Sequence, residues 1–194
     1  MNIESVTLTG RDVELRPLSW DHYEALVPLA DHESIWRWYN TTGQTREQLR
    51  AWMEGIFAEQ SRGTALAFTT VDRRSGRIAG CTRFMNIDRA NRRAEIGGTW
   101  LAPEFQRSHV NTEAKYLMFR HGFETWGCNR VELKTDALNA PSRAAILRVG
   151  AKEEGTLRRH MVTYTGRVRD TVYFSVIAEE WPAVKARLEA RLGL

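Results

Sequence analysis

Apolar positions along this chain change period several times, and each change predicts an element. Val6 to Leu8 and Val13 to Leu15 alternate with polar residues around Gly10, a strand or small hairpin stopped by Pro17. The period then lengthens. Asp21 to Ala30 puts Tyr23, Leu26, Val27 and Leu29 toward a core, Ser34 to Tyr39 reads as a short aromatic turn or helix, and Thr45 with Gln48 forms a capping box opening a helix through about Gln60. Strand character returns in Ala65 to Asp72 and Arg77 to Ile87, which flank the turn Arg73-Arg74-Ser75-Gly76, and in Arg93 to Leu101 beyond a turn at Asp88 to Arg92. Together these three predict an antiparallel meander.

The helix expected over Asn111 to Gly127 is apolar on more than one side, through Leu117, Met118, Phe119, Phe123 and Trp126, so it belongs deep in the core. After it come a strand at Arg130 to Thr135, a helix at Pro141 to Val149 ended by Gly150, and strands at Lys152 to Met161 and Val168 to Ala178. The last helix carries Trp181, Val184, Leu188 and Leu192 on one stripe. The order predicts an α+β (mixed α/β) fold in a single domain: a mostly antiparallel sheet interrupted by one strand, helix, strand crossover.

A 194-residue chain with 42% hydrophobic residues and seven Trp has material for one sizeable core, and disorder is excluded. Its 28 basic residues are interspersed with 24 acidic ones, and the net charge of +4 suits an anionic ligand. Arg89 to Arg93 and Arg158 to Arg159 keep nucleic acid as an alternative partner, but no binding motif supports it and solvated faces are the simpler reading. No segment resembles a signal peptide or reaches membrane-spanning length, so a cytoplasmic protein without membrane association is expected. Cys81 and Cys128 follow no metal-ligand spacing and read as small buried hydrophobes, and no metal is expected.

The most informative stretch is Ala94 to Lys115, where an alternating strand runs through a short polar loop straight into a helix. First-turn amides of a helix lack partners and carry partial positive charge, so the loop Gln106 to Asn111 is an anion site in principle. Most strand-to-helix junctions bind nothing; the rest of the chain decides.

Leu15 to Leu18 (LRPL), Ala94 to Gly97 (AEIG), the loop and helix from Gln106 (QRSHVNTEAKYLMFRHGFE), Asn139 to Ser142 (NAPS), Gly150 to Gly155 (GAKEEG) and the segment YFSVIAEEW ending at Trp181 occur in an order and spacing that are specific together. In these the chain resembles the GNAT acyltransferase superfamily, in particular the branch of ribosomal-protein N-terminal acetyltransferases. The resemblance implies the GNAT fold, in which the strand ending near Leu101 and the strand from Arg130 splay apart. It implies acetyl-CoA as donor, its pantetheine running along the backbone near Trp100 and Leu101. It implies a pyrophosphate cradled by the amides of Gln106, Arg107, Ser108, His109, Val110 and Asn111, with the Thr112 hydroxyl added.

The family signature asks for glycine where this chain has His109, for glycine or alanine at Asn111, and its branch commonly has another glycine at Arg107. Side chains there are expected to narrow the cradle, with Arg107 offering charge in compensation. His109 itself reads as an exposed loop residue rather than a catalytic one.

Acyl transfer needs a neutral amine. Glu95, placed by the AEIG motif, is the expected carboxylate base, with a structural acid as the competing reading; Glu153 and Glu154 read as surface acids. The tyrosine that commonly protonates the departing thiolate falls at Ile146, so Ser142 becomes the expected hydroxyl donor, with Asn139 orienting it or the pantetheine. Both also read as helix caps. A strand amide near Thr99 to Leu101 is expected to face the developing oxyanion.

Trp36, Trp38, Tyr39 and Trp52, beside Arg37 and Arg50, read as core packing that can line an acceptor cleft. The resulting reading is an N-acyltransferase taking an acyl-CoA and a primary amine. The lost glycines and missing tyrosine motivate a non-catalytic acyl-CoA binder as the alternative. A homodimer is compatible with the amphipathic C-terminal helix and the abundant Trp.

Overall fold

In the computed structural model, which describes residues 1–194, the alternation at Val13–Pro17 makes strand β2: Val13 and Leu15 are wholly buried, while Glu14 and Arg16 pair with each other on the opposite face. The first strand, β1, is Leu8–Thr9, shorter and later than the expected Val6 to Leu8, because only Leu8 and Thr9 find partners, in Leu15 and Glu14. Strands β3 (Leu66–Asp72), β4 (Arg77–Asp88) and β5 (Arg93–Leu101) form the expected antiparallel meander. Strands β6 (Arg130–Asp136), β7 (Lys152–Val162) and β8 (Val168–Ile177) complete an eight-stranded sheet in the order β1-β2-β3-β4-β5-β6-β8-β7. Only β5 and β6 run parallel.

Helices α1 (Tyr23–Ala30), α2 (Glu33–Trp36) and α3 (Arg46–Ser61) pack on one face. Their core of Leu26, Trp36, Leu49, Met53 and Ile56 meets Ala67, Cys81 and Trp100 of the sheet. Thr45 caps α3 in the expected box. Helices α4 (His109–Arg120), α5 (Ala140–Arg148) and α6 (Trp181–Leu192) cover the other face, where Phe119, Ile146 and Leu188 join Phe68, Phe84, Val131 and Phe174. Both cysteines are buried, and burial raises both thiol pKa values.

Helix α4 starts two residues before the expected Asn111, because Ser108 accepts from the Val110 amide and so caps it. It is α-helical to Arg120 and then widens into a π-turn over His121–Thr125. Buried Glu113 anchors it: its carboxylate accepts from the Asp12 amide at 3.0 and 3.2 Å, which ties α4 to the β1–β2 turn. A Cβ at Gly10 in that turn would lie 2.3 Å from the Glu113 carboxylate, so any other residue there would displace the anchor.

The sheet face opposite α4 is covered by helices only on its β2–β5 side. Over β6 and β8 it carries a polar layer instead. Arg93 and Arg130 share Glu132 at 3.1 and 2.8 Å, Arg130 reaches Glu154, and Arg167 pairs with fully buried Asp136.

Candidate active site

Strands β5 and β6 touch only at their start: Arg93 faces Arg130, Ala94 faces Val131 and Glu95 faces Glu132. Beyond Glu95, β5 stays paired with β4 while β6 follows β8, and a wedge-shaped gap opens. A bulge steepens it. Between Arg83/Gly97 and Cys81/Trp100, two steps on β4 match three on β5, and Gly98 takes φ +55° in the extra turn of chain. The backbone of Thr99 to Leu101 therefore borders the gap.

At the far end of β5 the loop to α4 is pinned back onto the strand, since Gln106 Nε2 donates to the Leu101 carbonyl at 3.0 Å. Arg107 adopts φ +57°, the left-handed conformation for which glycine is the undemanding choice, and its side chain is exposed. Ser108 Oγ donates to the Phe105 carbonyl and caps Val110. The amides of Arg107, Ser108 and His109 donate to no group of the protein. Val110 is wholly buried, Thr112 is half-buried, and the buried Asn111 Oδ1 lacks a partner.

The structure corrects the reading of His109. It is the first residue of α4 rather than a free loop residue, and its Nε2 lies 3.0 Å from Asp72 Oδ1 on β3. The imidazole is directed at β3, not across the loop amides. Burial opposes ionisation of Asp72, but hydrogen bonds from Ser75 and His109 outweigh it and hold the carboxyl below its usual range.

Glu95 is buried and lies on the polar sheet face. Its Oε2 accepts from Asn86 Nδ2 at 2.9 Å and from Lys134 Nζ at 3.0 Å. It also lines a cavity of about 940 Å³ with Asn86, Arg62, Arg89, Arg93 and Glu132. Asn139 caps α5, accepting from the Ser142 amide at 3.1 Å, so the capping role is present; the Ser142 hydroxyl is half-buried and bonds to no protein group. Glu153 and Glu154 are exposed acids paired with Arg143 and Arg130.

The aromatic residues are mainly core. Trp36, Trp52 and Trp100 pack together, edge to face or tilted, with centroids 5.8 to 6.3 Å apart, so Trp100 gives the gap its backbone and not its ring. Tyr39 and Trp38 do something else. The Tyr39 hydroxyl donates to the Thr99 carbonyl on β5, while the Trp38 carbonyl accepts from Arg169 on β8 at 3.0 Å, so this segment bridges the two sides of the divergence.

Sequence reasoning also missed buried Lys115, whose Nζ donates to Thr99 Oγ1 at 2.6 Å and Thr82 Oγ1 at 3.3 Å, and whose pKa burial lowers to about 7. The available signal was a lysine inside a helix expected to be apolar on several sides.

Free amides at a helix start, an exposed arginine and an unsatisfied Asn111 fit a polyphosphate, and a backbone-lined gap fits a narrow chain leading from it. Comparison with known proteins points the same way. A family model described as "Acetyltransferase (GNAT) domain" matches residues 12–152. A Bacillus subtilis protein named "Putative ribosomal N-acetyltransferase YdaF" is 36% identical over 110 residues, 57% of this chain and 59% of that protein, so the match spans less than two thirds of it. A solved GCN5-related N-acetyltransferase from Brucella melitensis superposes with a TM-score of 0.89 at 35% identity, over 97% of this chain and 86% of that one. RimJ of Mycobacterium smegmatis, solved in complex with CoA-disulfide, gives 0.80 at 27% identity, over 93% of this chain and 89% of that one.

Proposed function

The chain belongs to the GNAT acetyltransferase family, and from that premise we propose that residues 1–194 act as one domain moving an acetyl group from acetyl-CoA directly to a primary amine. The observation that carries this reading is the opening of β5 from β6 after Glu95, with the partnerless amides of Arg107 to His109 at its end. The name of the Bacillus subtilis relative makes an amine of a ribosomal protein the first acceptor to try.

The donor supplies a thioester carbonyl and a thiolate leaving group. Amides of Arg107, Ser108 and His109, with the Arg107 guanidinium, hold its pyrophosphate; Gln106 fixes the loop by its bond to Leu101, and Asn111 and Thr112 add side-chain contacts. Val110 anchors the helix start from within the core. The backbone of Trp100 and Leu101 pairs with the pantetheine, and amides at the bulge face charge developing on the carbonyl oxygen.

The acceptor enters from the polar sheet face, whose cavity offers Glu95 and Glu132 to a cationic amine and Arg62, Arg89 and Arg93 to carbonyl or carboxylate groups beyond it. Both hydrogen bonds that Glu95 accepts fall on Oε2, so Oε1 is the atom that receives the amine's proton, directly or through water. An N-terminal amine, with pKa near ~7.7–8.0, asks little of that base. Ser142 hydrogen-bonds the sulfur, held in place because Asn139 fixes the start of α5.

The test is thiol release from acetyl-CoA with peptides beginning in alanine, serine or threonine, beside a panel of small amines, and calorimetric titration of CoA. Acetylated product supports the proposal. CoA binding without transfer to any amine makes the protein a binder, and no heat of association rejects the site altogether.

A further inference from the structure

Lys115 is buried in the protein without a counter-ion. On α4, Glu113 is turned to the Asp12 amide and His109 to Asp72; β4 and β5 present only the hydroxyls of Thr82 and Thr99, which bond to each other at 2.7 Å. The charges of those strands, Arg83 and Glu95, lie on the opposite sheet face with Glu59 and Lys134. Tyr116, the next residue, turns to Glu189 of α6. Leaving a cation unpaired in such a place is costly. Replacing it by an apolar residue would relieve the cost, so its presence calls for a use.

Its position supplies one. Asn111, whose Oδ1 is unsatisfied at the start of the helix, lies one helical turn before Lys115, so the two share a face of α4, and Lys115 in turn bonds Thr99. Thr99 is the bulge residue on the edge of the gap. Resting on the acetyl-transfer reading, we propose that Lys115, acting through the Thr99 hydroxyl, is the proton source for the departing CoA thiolate.

The step balances. As the C–N bond forms and the C–S bond breaks, the electron pair goes to sulfur. Sulfur takes the Thr99 hydroxyl proton, and Thr99 takes one from the Lys115 ammonium. The proton lost by the acceptor nitrogen passes to Glu95 and on to solvent, and Lys115 is reprotonated by the reverse route through Thr99 once the product thiol has left.

Other hydroxyls are poorer sources. The Ser142 hydroxyl bonds to no protein group that could resupply its proton, and Tyr39 already gives its one proton to the Thr99 carbonyl while burial raises its pKa. A lysine brought down to about 7 can both hold and give up a proton near neutral pH, as a relay requires. Lys115 is thus a positioning and relay residue, Thr99 the group that gives sulfur its proton, and Ser142 a hydrogen-bonding partner of the sulfur.

The test combines Lys115→Met, Lys115→Arg, Thr99→Val and Thr99→Ser. Lys115→Met, which removes an unpaired buried charge, is expected to fold at least as stably as wild type. It should lower kcat ~10²-fold with little change in KM for acetyl-CoA, and erase the fall in kcat as pH rises through the lysine's range. Lys115→Arg should lose the same limb, Thr99→Val should match Lys115→Met, and Thr99→Ser should restore most of the rate.

A second readout needs no turnover. The NMR titration midpoint of the Lys115 side chain should move when CoA is added and stay put with desulfo-CoA. Equal midpoints in the two complexes, or a Lys115→Met profile superimposable on wild type, overturns the relay. Failure of the wild type to acetylate any amine overturns instead the reading beneath it.

Discussion

Arg107 sits where the branch that the sequence resembles commonly has glycine, and it holds φ +57°, so its backbone and its side chain make opposing predictions. For a residue with a Cβ the left-handed conformation costs about 1–2 kcal/mol. Glycine removes that cost but returns roughly 0.5–1 kcal/mol through the freedom it gains in the unfolded chain. Arg107→Gly should therefore stabilise the protein by about 0.5–1 kcal/mol, which raises the melting temperature by roughly 1–4 °C for a chain this long. The side chain argues the other way. A guanidinium on a phosphate is worth about 1.5–3 kcal/mol, so the same variant should bind CoA roughly 10- to 100-fold more weakly, with a shallower dependence on salt. Arg107→Ala separates the two effects, because alanine keeps the strained backbone and loses the charge: affinity should fall as far and the melting temperature should not rise. Differential scanning fluorimetry and calorimetric titration measure both quantities on the same samples. A glycine variant no more stable than the alanine variant refutes the strain argument. Unchanged CoA affinity in both refutes the phosphate contact.

Three further outcomes follow from the geometry. The carboxyl of Asp72 is held below its usual range, so its contribution to stability is present above the unfolded value near ~3.9 and drains away as pH falls through the lower folded value. Asp72→Asn should flatten that acid loss in urea melts between pH 2 and 5, and a curve parallel to wild type would count against the His109 and Ser75 bonds as its cause. Glu95→Gln should cut turnover by ~10²-fold while CoA affinity holds; equal loss of CoA binding would make it a structural acid tied to Asn86 and Lys134. Ser142→Ala should slow transfer without altering the Asn139 cap, since the cap uses the Ser142 amide, so an unchanged rate at unchanged melting temperature leaves Ser142 with no part in the chemistry.

The meander and the crossover were legible because each rests on a local period: Ala94 and Ile96 face the core while Glu95 turns away, as strict alternation demands. The helix caps at Thr45 and Asn139 were legible for the same reason, since a cap spans only three residues. What could not be read depends on register between distant segments. His109 meets Asp72 across 37 residues, and Tyr39 meets Thr99 across 60. No periodicity in either segment encodes these pairs; they exist only once the elements that carry them have packed together. Such long-range partners explain why residues that look like defects in the sequence are not defects in the fold. His109 stands where the expected signature has glycine, yet its imidazole is taken up by β3, and Arg107 stands where the resembled branch commonly has one, yet the backbone still reaches the left-handed turn. A cradle built of main-chain amides tolerates any side chain that another element can draw aside, so in this loop the conformation reached by the backbone decides whether an anion fits, and residue identity decides only what that conformation costs.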